Sequence, residues 1–168
     1  MSPSIIDRSV APDDLPAISC LHARVFGPGR FTRSAYRIRE GTPAISPFCR
    51  AAELSGRLIA AVRFTAVSIG GREGALLLGP LAVDPEFAGQ GIGRRLIAEG
   101  MEAAKAAGIR LVVLVGDEPY YQRFGFHPVP LGEITLPGPV DPRRILAAEL
   151  VAGAKDEFRG LISARRAR

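Results

Sequence analysis

The chain has 168 residues, a hydrophobic fraction of 47% and a formal net charge of +5. This length suffices for one well-buried core and is small for two, so a single domain over residues 1–168 is expected. No apolar run approaches the roughly 20 residues that cross a bilayer, so no membrane partner is expected.

The basic residues are scattered along the chain, apart from a short run at its end, Ala164–Arg168. This tail is interpreted as a solvated end, with a contact role as the alternative. The chain has no basic strand rich in aromatic residues, so nucleic acid is not an expected partner. A modest basic excess suits a small polyanionic ligand.

The cysteine content indicates a reducing compartment. Cys20 and Cys49 provide neither a disulfide framework nor a metal-binding spacing, and no metal is expected. Asp7 and Arg8 lie where a secretion signal has its apolar core. We therefore predict a cytoplasmic protein.

The N-terminal half predicts one strand, two helices and an antiparallel meander. Ile5–Ile6 indicates a short strand, and Pro12 opens an amphipathic helix that ends at Gly27. A weaker helical pattern covers Thr32–Arg39. Three strands joined by two glycine-containing turns follow, at Phe48–Leu54, Leu58–Ile69 and Glu73–Val83.

The third strand of this meander is interrupted at Gly79-Pro80. Proline has no N–H to donate to a strand ladder, and Gly-Pro inside a strand marks a bulge or the end of pairing. Where pairing ends, the next strand diverges and leaves a wedge with free backbone groups on both sides.

A glycine turn follows at Gly89, Gly91 and Gly93 and leads into an amphipathic helix over residues 92–107. Glycine tolerates positive φ, and converging N–H groups at the start of a helix form an anion site. The spacing is neither the dinucleotide fingerprint nor a P-loop, and a plain tight turn is the alternative. Leu111–Val115 is typical of a buried strand, so a parallel strand–helix–strand unit is expected.

The last part of the chain predicts a short helix, two strands and a terminal helix. Asp117 and Gly125 are suitable caps for the short helix. The predicted strands are His127–Leu136 and Arg144–Val151, which places the core at about residues 4–151. Residues 152–168 are predicted to hold a helix over Lys155–Ala164 and the basic tail. An exposed sheet edge after residue 144 leaves monomer and homodimer as alternatives.

Two sequence motifs stand out, one at the glycine turn and one in the predicted short helix. The first comprises Leu81-Ala82-Val83-Asp84-Pro85 and Gly89-Gln90-Gly91-Ile92-Gly93-Arg94-Arg95-Leu96, and the second is Tyr120-Tyr121-Gln122-Arg123-Phe124-Gly125-Phe126. Together they resemble the GNAT superfamily of acetyl-CoA-dependent N-acetyltransferases. The resemblance implies an α/β (α+β) fold with a mixed, mostly antiparallel sheet of about seven strands. The sheet would be splayed between its fourth and fifth strands and flanked by about four helices.

The resemblance also implies acetyl-CoA as the cofactor. Its pantetheine arm would lie against the backbone of Leu81–Val83, and its pyrophosphate on the N–H groups of Gly89–Arg94. The implied cofactor-binding residues are Leu81, Ala82, Val83, Ala88, Gly89, Gln90, Gly91, Ile92, Gly93, Arg94 and Arg95. For Arg94 and Arg95, a solvated helix face is the alternative. Ala88 stands where the family usually has Gln or Arg, which removes a side-chain contact to the phosphates.

The implied reaction is transfer of an acetyl group to a primary amine of a small molecule or a peptide. Tyr121 matches the family's tyrosine that protonates the leaving sulfur, and packing beside Phe124 is its alternative role. The oxyanion donor would be a backbone N–H near Leu81–Val83. The base is left open among a water chain, Glu53, Glu73, Glu118 and His127.

A non-catalytic regulatory module that binds CoA or acyl-CoA is the alternative function. Acceptor specificity is expected to depend on the segments Phe26–Gly41 and Val129–Arg143. His22, beside the apolar stripe of the first helix, is interpreted as a packing residue.

Overall fold

A computed structural model describes residues 3–27 and 38–164 of the chain. The strands in these residues are β1 (Ile5–Ser9), β2 (Arg50–Leu54), β3 (Arg57–Ile69), β4 (Arg72–Val83), β5 (Leu111–Val115), β6 (His127–Pro128), β7 (Ile134–Thr135), β8 (Ile145–Glu149) and β9 (Gly160–Ala164). The α-helices in the same residues are α1 (Leu15–Phe26), α2 (Ile92–Ala106) and α3 (Glu118–Tyr121). The helix predicted at Thr32–Arg39 lies, except for its last two residues, outside the described residues. None of the helices described is long and apolar enough to cross a membrane.

The strands form a mixed sheet in the order β1-β2-β3-β4-β5-β8-β6, with β9 on β3 and β7 on β9. Neighbours along this path are antiparallel, except for the parallel pair β4–β5. The predicted meander corresponds to β2, β3 and β4, and the predicted strand–helix–strand unit to β4, α2 and β5. The mixed, mostly antiparallel fold predicted from the sequence is therefore confirmed.

The sheet separates two hydrophobic cores, because successive residues of a strand point to opposite faces. Leu76 of β4 contributes to the core that contains Leu96 and Ile97 of α2. The next residue, Leu77, contributes to the core that contains Phe158 and Ile162. The helix α2 is thus held on one face of the sheet by its apolar stripe, which orients its N-terminus at the end of β4.

A glycine in the middle of α2 allows the helix to lie directly against β3. A Cβ at Gly100 would overlap the ring of Phe64 and approach the carbonyl oxygen of Phe48 to 2.9 Å. The absence of a side chain at this position therefore sets the distance between helix and sheet.

The sheet splits between β4 and β5. Their pairing runs from Ala75–Leu111 to Leu77–Val113 and goes no further, whereas β4 continues to pair with β3 as far as Val83. The predicted interruption at Gly79-Pro80 begins two residues after Leu77, the last residue of β4 that pairs with β5. The far half of β4 consequently has one edge without a strand partner among the described residues.

Two predicted elements are wrong, and both corrections concern the C-terminal part. His127–Leu136 is not one strand but the separate strands β6 and β7, since Pro128 and Pro130 lack N–H donors and a turn follows in which Glu133 N–H donates to the Pro130 carbonyl. Residues 155–164 do not form a helix: a 3-10 turn at Ala154–Glu157 precedes β9. The described residues therefore contain nine strands rather than about seven.

The free edge of β3 explains the terminal strand. The strand β2 pairs with β3 only as far as Val62, so the rest of this long strand offers unpaired backbone groups. Residues 162–164 of β9 pair with Val67–Ile69 of β3 at this edge. Pairing of these exposed donors and acceptors outweighs the helical propensity of the segment.

Candidate functional site

A buried carboxylate anchors the turn between β4 and α2. Asp84 is fully buried and accepts hydrogen bonds from Arg24 at 2.8 Å, Arg57 at 2.7 Å and the N–H of Glu86 at 3.0 Å. The Glu86 N–H, followed by the Arg24 guanidinium, keeps the pKa of Asp84 below its ordinary value despite burial. The residue thereby links α1, the start of β3 and the start of the glycine turn.

The presence of glycine at the three positions of the turn has different structural explanations. Gly89 and Gly91 adopt φ values of +80° and +77°, and a Cβ on either would contact nothing within 4 Å. Their requirement for glycine is therefore conformational. Gly93 is explained by packing instead: a Cβ there would lie 3.2 Å from the hydroxyl oxygen of Tyr120 and 3.3 Å from Cδ2 of Leu81, so these side chains would have to shift slightly.

The turn presents unpaired N–H groups at the start of α2. From Gly89 onward, the first backbone N–H with a backbone acceptor is that of Arg95, which donates to the Gly91 carbonyl at 3.2 Å. Within the described part of the chain, no acceptor is found for the N–H groups of Gly89–Arg94. These donors and the positive end of the helix dipole create a site that suits an anion.

The two arginines after the turn point in different directions. Arg95 makes a bidentate ion pair with Asp7 of β1, with nitrogen–oxygen distances of 2.9 and 3.1 Å. Arg94 instead lines an exposed cleft together with Arg123 and His127. Arg94 thus adds positive charge beside the unpaired N–H groups, whereas the guanidinium of Arg95 serves the contact between α2 and β1.

A cavity of about 520 Å³ fills the split in the sheet. We call it the wedge cavity; it is bounded by Leu78–Leu81 of β4 and by Leu114–Asp117 at the end of β5. Of the predicted cofactor-binding residues, Leu81 lines this cavity. Ala82 is buried in the sheet, and Val83 packs toward the core that contains α2.

Tyr121 also lines the wedge cavity. Its ring lies against the backbone of Gly116, where a Cβ would come within 2.7 Å of Cε2, and makes an edge contact with Phe126 at 6.0 Å. Burial, followed by the neighbouring Tyr120 and Asp117, raises the pKa of Tyr121 to about 12. A phenol in this state keeps its proton and is suited to donate it.

The lining of the wedge cavity also includes His22 and Phe26 of α1, Arg39 and Arg63, and Pro139–Asp141. Both segments predicted to determine specificity therefore contribute to the cavity lining. None of the four side chains predicted as possible bases is among the described lining residues. Glu53 instead lies 3.4 Å from Arg8 in an ion pair.

A second, smaller cavity adjoins the wedge cavity. Its volume is about 210 Å³, and its lining includes Ile18 of α1 and Cys49 before β2. His22, Arg63 and Pro80 line both cavities and therefore mark their junction. Sequence reasoning did not identify Arg63, because the contact between α1 and β3 that encloses this cavity is not local.

Gly116 and the role of Asp84 were also absent from the sequence prediction. Asp84 preceding Pro85 is a cap signal, but its partners Arg24 and Arg57 are distant in the sequence. Gly116 has no signal beyond its position directly after a buried strand.

Sequence comparison identifies relatives of this chain. Residues 47–128 match the family described as "Acetyltransferase (GNAT) domain". The uncharacterized N-acetyltransferase YhbS of Escherichia coli K12 is 33% identical over 120 residues, which cover 71% of each chain. The uncharacterized N-acetyltransferase YjhQ of the same strain is 32% identical over 138 residues, or 80% of this chain and 74% of YjhQ.

Solved structures share the fold. The crystal structure of YhbS from E. coli in complex with CoA has a TM-score of 0.83 and 27% identity, covering 98% of this chain and 92% of that one. A GNAT family acetyltransferase from Brucella melitensis in complex with acetyl-CoA has a TM-score of 0.64 and 30% identity, covering 90% and 97%. Sequence and fold agree, and this chain belongs to the GNAT family of acetyltransferases.

Proposed function

We propose that this protein binds acetyl-CoA in the split between β4 and β5 and transfers its acetyl group to a primary amine. The observation that carries the proposal is the combination of an unpaired strand edge with unpaired N–H groups at its end. The edge begins after Leu77 and leads to the N–H groups of Gly89–Arg94. The CoA and acetyl-CoA complexes of the two similar structures support this choice of cofactor.

The residues present fit this cofactor. The backbone of Leu81–Val83 would bind the extended pantetheine arm as an added strand does, and the N–H groups of Gly89–Arg94 would bind the pyrophosphate. The absence of a Cβ at Gly89 and Gly91 leaves the approach to these donors open. Of the two arginines after the turn, Arg94 has its side chain available for phosphate oxygens, because Arg95 is bound to Asp7.

Tyr121 would serve as the general acid. When bound, acetyl-CoA supplies a thioester, whose acyl carbon an amine attacks directly. A nitrogen–carbon bond forms while the carbon–sulfur bond breaks, and the phenol of Tyr121 gives its proton to the sulfur. Because burial raises the pKa of Tyr121 to about 12, the phenol retains this proton throughout the physiological pH range.

Backbone and solvent would complete the reaction. The N–H of Leu81, the first residue after Pro80 on the free edge, is the proposed donor to the developing charge on oxygen. We assign loss of the amine proton to water in the cavity, since the four predicted bases do not line it and its carboxylates Asp117 and Asp141 are held in ion pairs. The value of kcat/KM should then rise with pH according to the ionisation of the acceptor alone.

The glycine turn offers a direct test of cofactor binding. Gly91→Ala forces a Cβ onto a residue with φ of +77° and should displace the N–H groups. We expect the calorimetric Kd for acetyl-CoA to increase about tenfold. Gly108→Ala is the matched control, because Gly108 has a φ of +86° with similar open space at the other end of α2.

The control variant should lose similar stability and keep the wild-type Kd. Equal Kd values for wild type and both variants would contradict binding of the pyrophosphate at the turn. Binding of acetyl-CoA without acetylation of any amine would favour the non-catalytic regulatory module.

A further inference from the structure

We infer that the acceptor is a free α-amino acid with an apolar side chain. Its side chain would occupy the smaller cavity, named the acceptor cavity here, and its carboxylate would bind Arg63. This inference rests on the proposed acetyl transfer and specifies the amine. It follows from the lining of the acceptor cavity and from the junction with the wedge cavity.

The acceptor cavity selects an apolar group. Its volume of about 210 Å³ is about seven times that of a water molecule in the liquid, which accommodates a side chain of several carbon atoms. Most of its lining is apolar and comes from separate elements, with Leu15 and Ile18 on α1, Ala44 and Cys49 before β2, and Ala61 on β3. An alkyl or aromatic group gains free energy by leaving water for such a lining.

The charge at the junction selects an anion. Arg63 is the formally charged side chain among the described residues that line the acceptor cavity. One of its terminal nitrogens donates to Oγ1 of Thr42 at 2.9 Å and to the Pro43 carbonyl at 3.1 Å, which fixes the guanidinium at this position. A fixed guanidinium is well suited to bind a carboxylate.

Each carboxylate among the described lining residues of the wedge cavity has an arginine partner. Asp117 forms an ion pair with Arg144 at 3.4 Å, and Asp141 forms one with Arg143 at 3.2 Å. Arg63 also lines the acceptor cavity, whereas Asp117 and Asp141 are not among its described lining residues. At the junction, a polycationic acceptor would therefore meet the positive charge of Arg63, whereas an anionic group would be attracted.

The junction also indicates that amine and carboxylate lie close together in the acceptor. Arg63 and Pro80 both line it, and Pro80 directly precedes the Leu81 N–H proposed for the oxyanion. An acceptor with its apolar group in the acceptor cavity would place its amine beside Leu81 and its anionic group beside Arg63, so both groups must lie close together at the junction. Amine and carboxylate on the same carbon meet this requirement, as in leucine or methionine.

The test compares acceptors that differ in one group. With saturating acetyl-CoA, thiol release should give L-leucine a kcat/KM at least about 30-fold above those of L-leucinamide, the dipeptide Leu-Gly and spermidine. Arg63→Met should reduce the value for leucine about 30-fold and leave that for leucinamide unchanged. Arg159→Met, which removes one exposed positive charge beside Glu133, is the control and should behave as wild type.

A second variant tests the apolar cavity without disturbing a buried position. Ala44 is exposed yet lines the cavity, so Ala44→Phe should fill it and lower kcat/KM for leucine more than for alanine. Calorimetric binding of L-leucine provides a readout that does not need turnover. If L-leucine binds and Arg63→Met weakens this binding, the proposed site is supported even when no acetylation occurs. The absence of acetylation would then overturn only the proposed transfer. Acetylation of spermidine or leucinamide in preference to leucine, or no binding of leucine, would overturn the inference.

Discussion

Two adjacent tyrosines have different environments. The Tyr120 hydroxyl lies beside Gly93, against the start of α2, whereas Tyr121 lines the wedge cavity with its ring on Gly116. The second motif implied, through the family resemblance, that Tyr121 is the general acid. It gave no indication that the Tyr121 ring lies on Gly116. The reason is that a ring lying on a glycine depends on the path of the chain after β5.

Gly116→Ala should lower kcat through Tyr121 rather than through the fold. The added Cβ comes within 2.7 Å of the Tyr121 ring and must displace it, and we expect kcat to fall about tenfold. A double-mutant cycle with Tyr121→Phe provides the control. In the Tyr121→Phe background, Gly116→Ala should have little further effect on kcat. Additive losses would show that Gly116 acts elsewhere.

At the scale of elements, Asp84 joins parts of the structure that are distant in sequence. Arg24 of α1 and Arg57 at the start of β3 both bind this one buried carboxylate, shortly before the glycine turn. The local pattern predicted α1, α2 and β5 because each has its own hydrophobic periodicity and end signals. It did not predict β9, whose pairing depends on the free edge of β3.

Asp84→Asn should destabilise the fold by about 2 kcal/mol, because hydrogen bonds to a charged group are lost while both arginines keep access to water. The sign of the pH dependence follows from the lowered pKa of Asp84. Its contribution is present above the unfolded pKa of about 3.9 and is lost as the pH falls through the folded value.

The free energy of unfolding from urea titrations measures this effect. The wild-type and Asp84→Asn curves should differ at pH 7 and approach each other below about pH 4. Asp14, Asp141 and Glu157 also have lowered pKa values, but they titrate equally in both proteins and cancel in the difference. A difference that stays constant down to pH 2 would refute the ionised state of Asp84.

At the scale of the whole molecule, the wedge cavity in the split of the sheet adjoins the acceptor cavity, and Pro80 lines both. The interruption at Gly79-Pro80 predicted the split, because proline and glycine carry a local signal for the end of pairing. The acceptor cavity had no such signal, since α1, β3 and the segment before β2 enclose it only after the chain has folded. The split that forms the wedge cavity was thus predicted from the sequence, whereas the acceptor cavity was found only in the structure.

A comparison of the single variants Tyr121→Phe and Tyr120→Phe tests acetyl transfer in the wedge cavity most directly. We measure kcat by thiol release and the Kd for acetyl-CoA by calorimetry, for wild type, Tyr121→Phe and Tyr120→Phe. Loss of the proposed acid should lower kcat about 100-fold in Tyr121→Phe at an unchanged Kd, and Tyr120→Phe should keep the wild-type kcat. An unchanged kcat in Tyr121→Phe, or an equal loss in both variants, would contradict Tyr121 as the general acid.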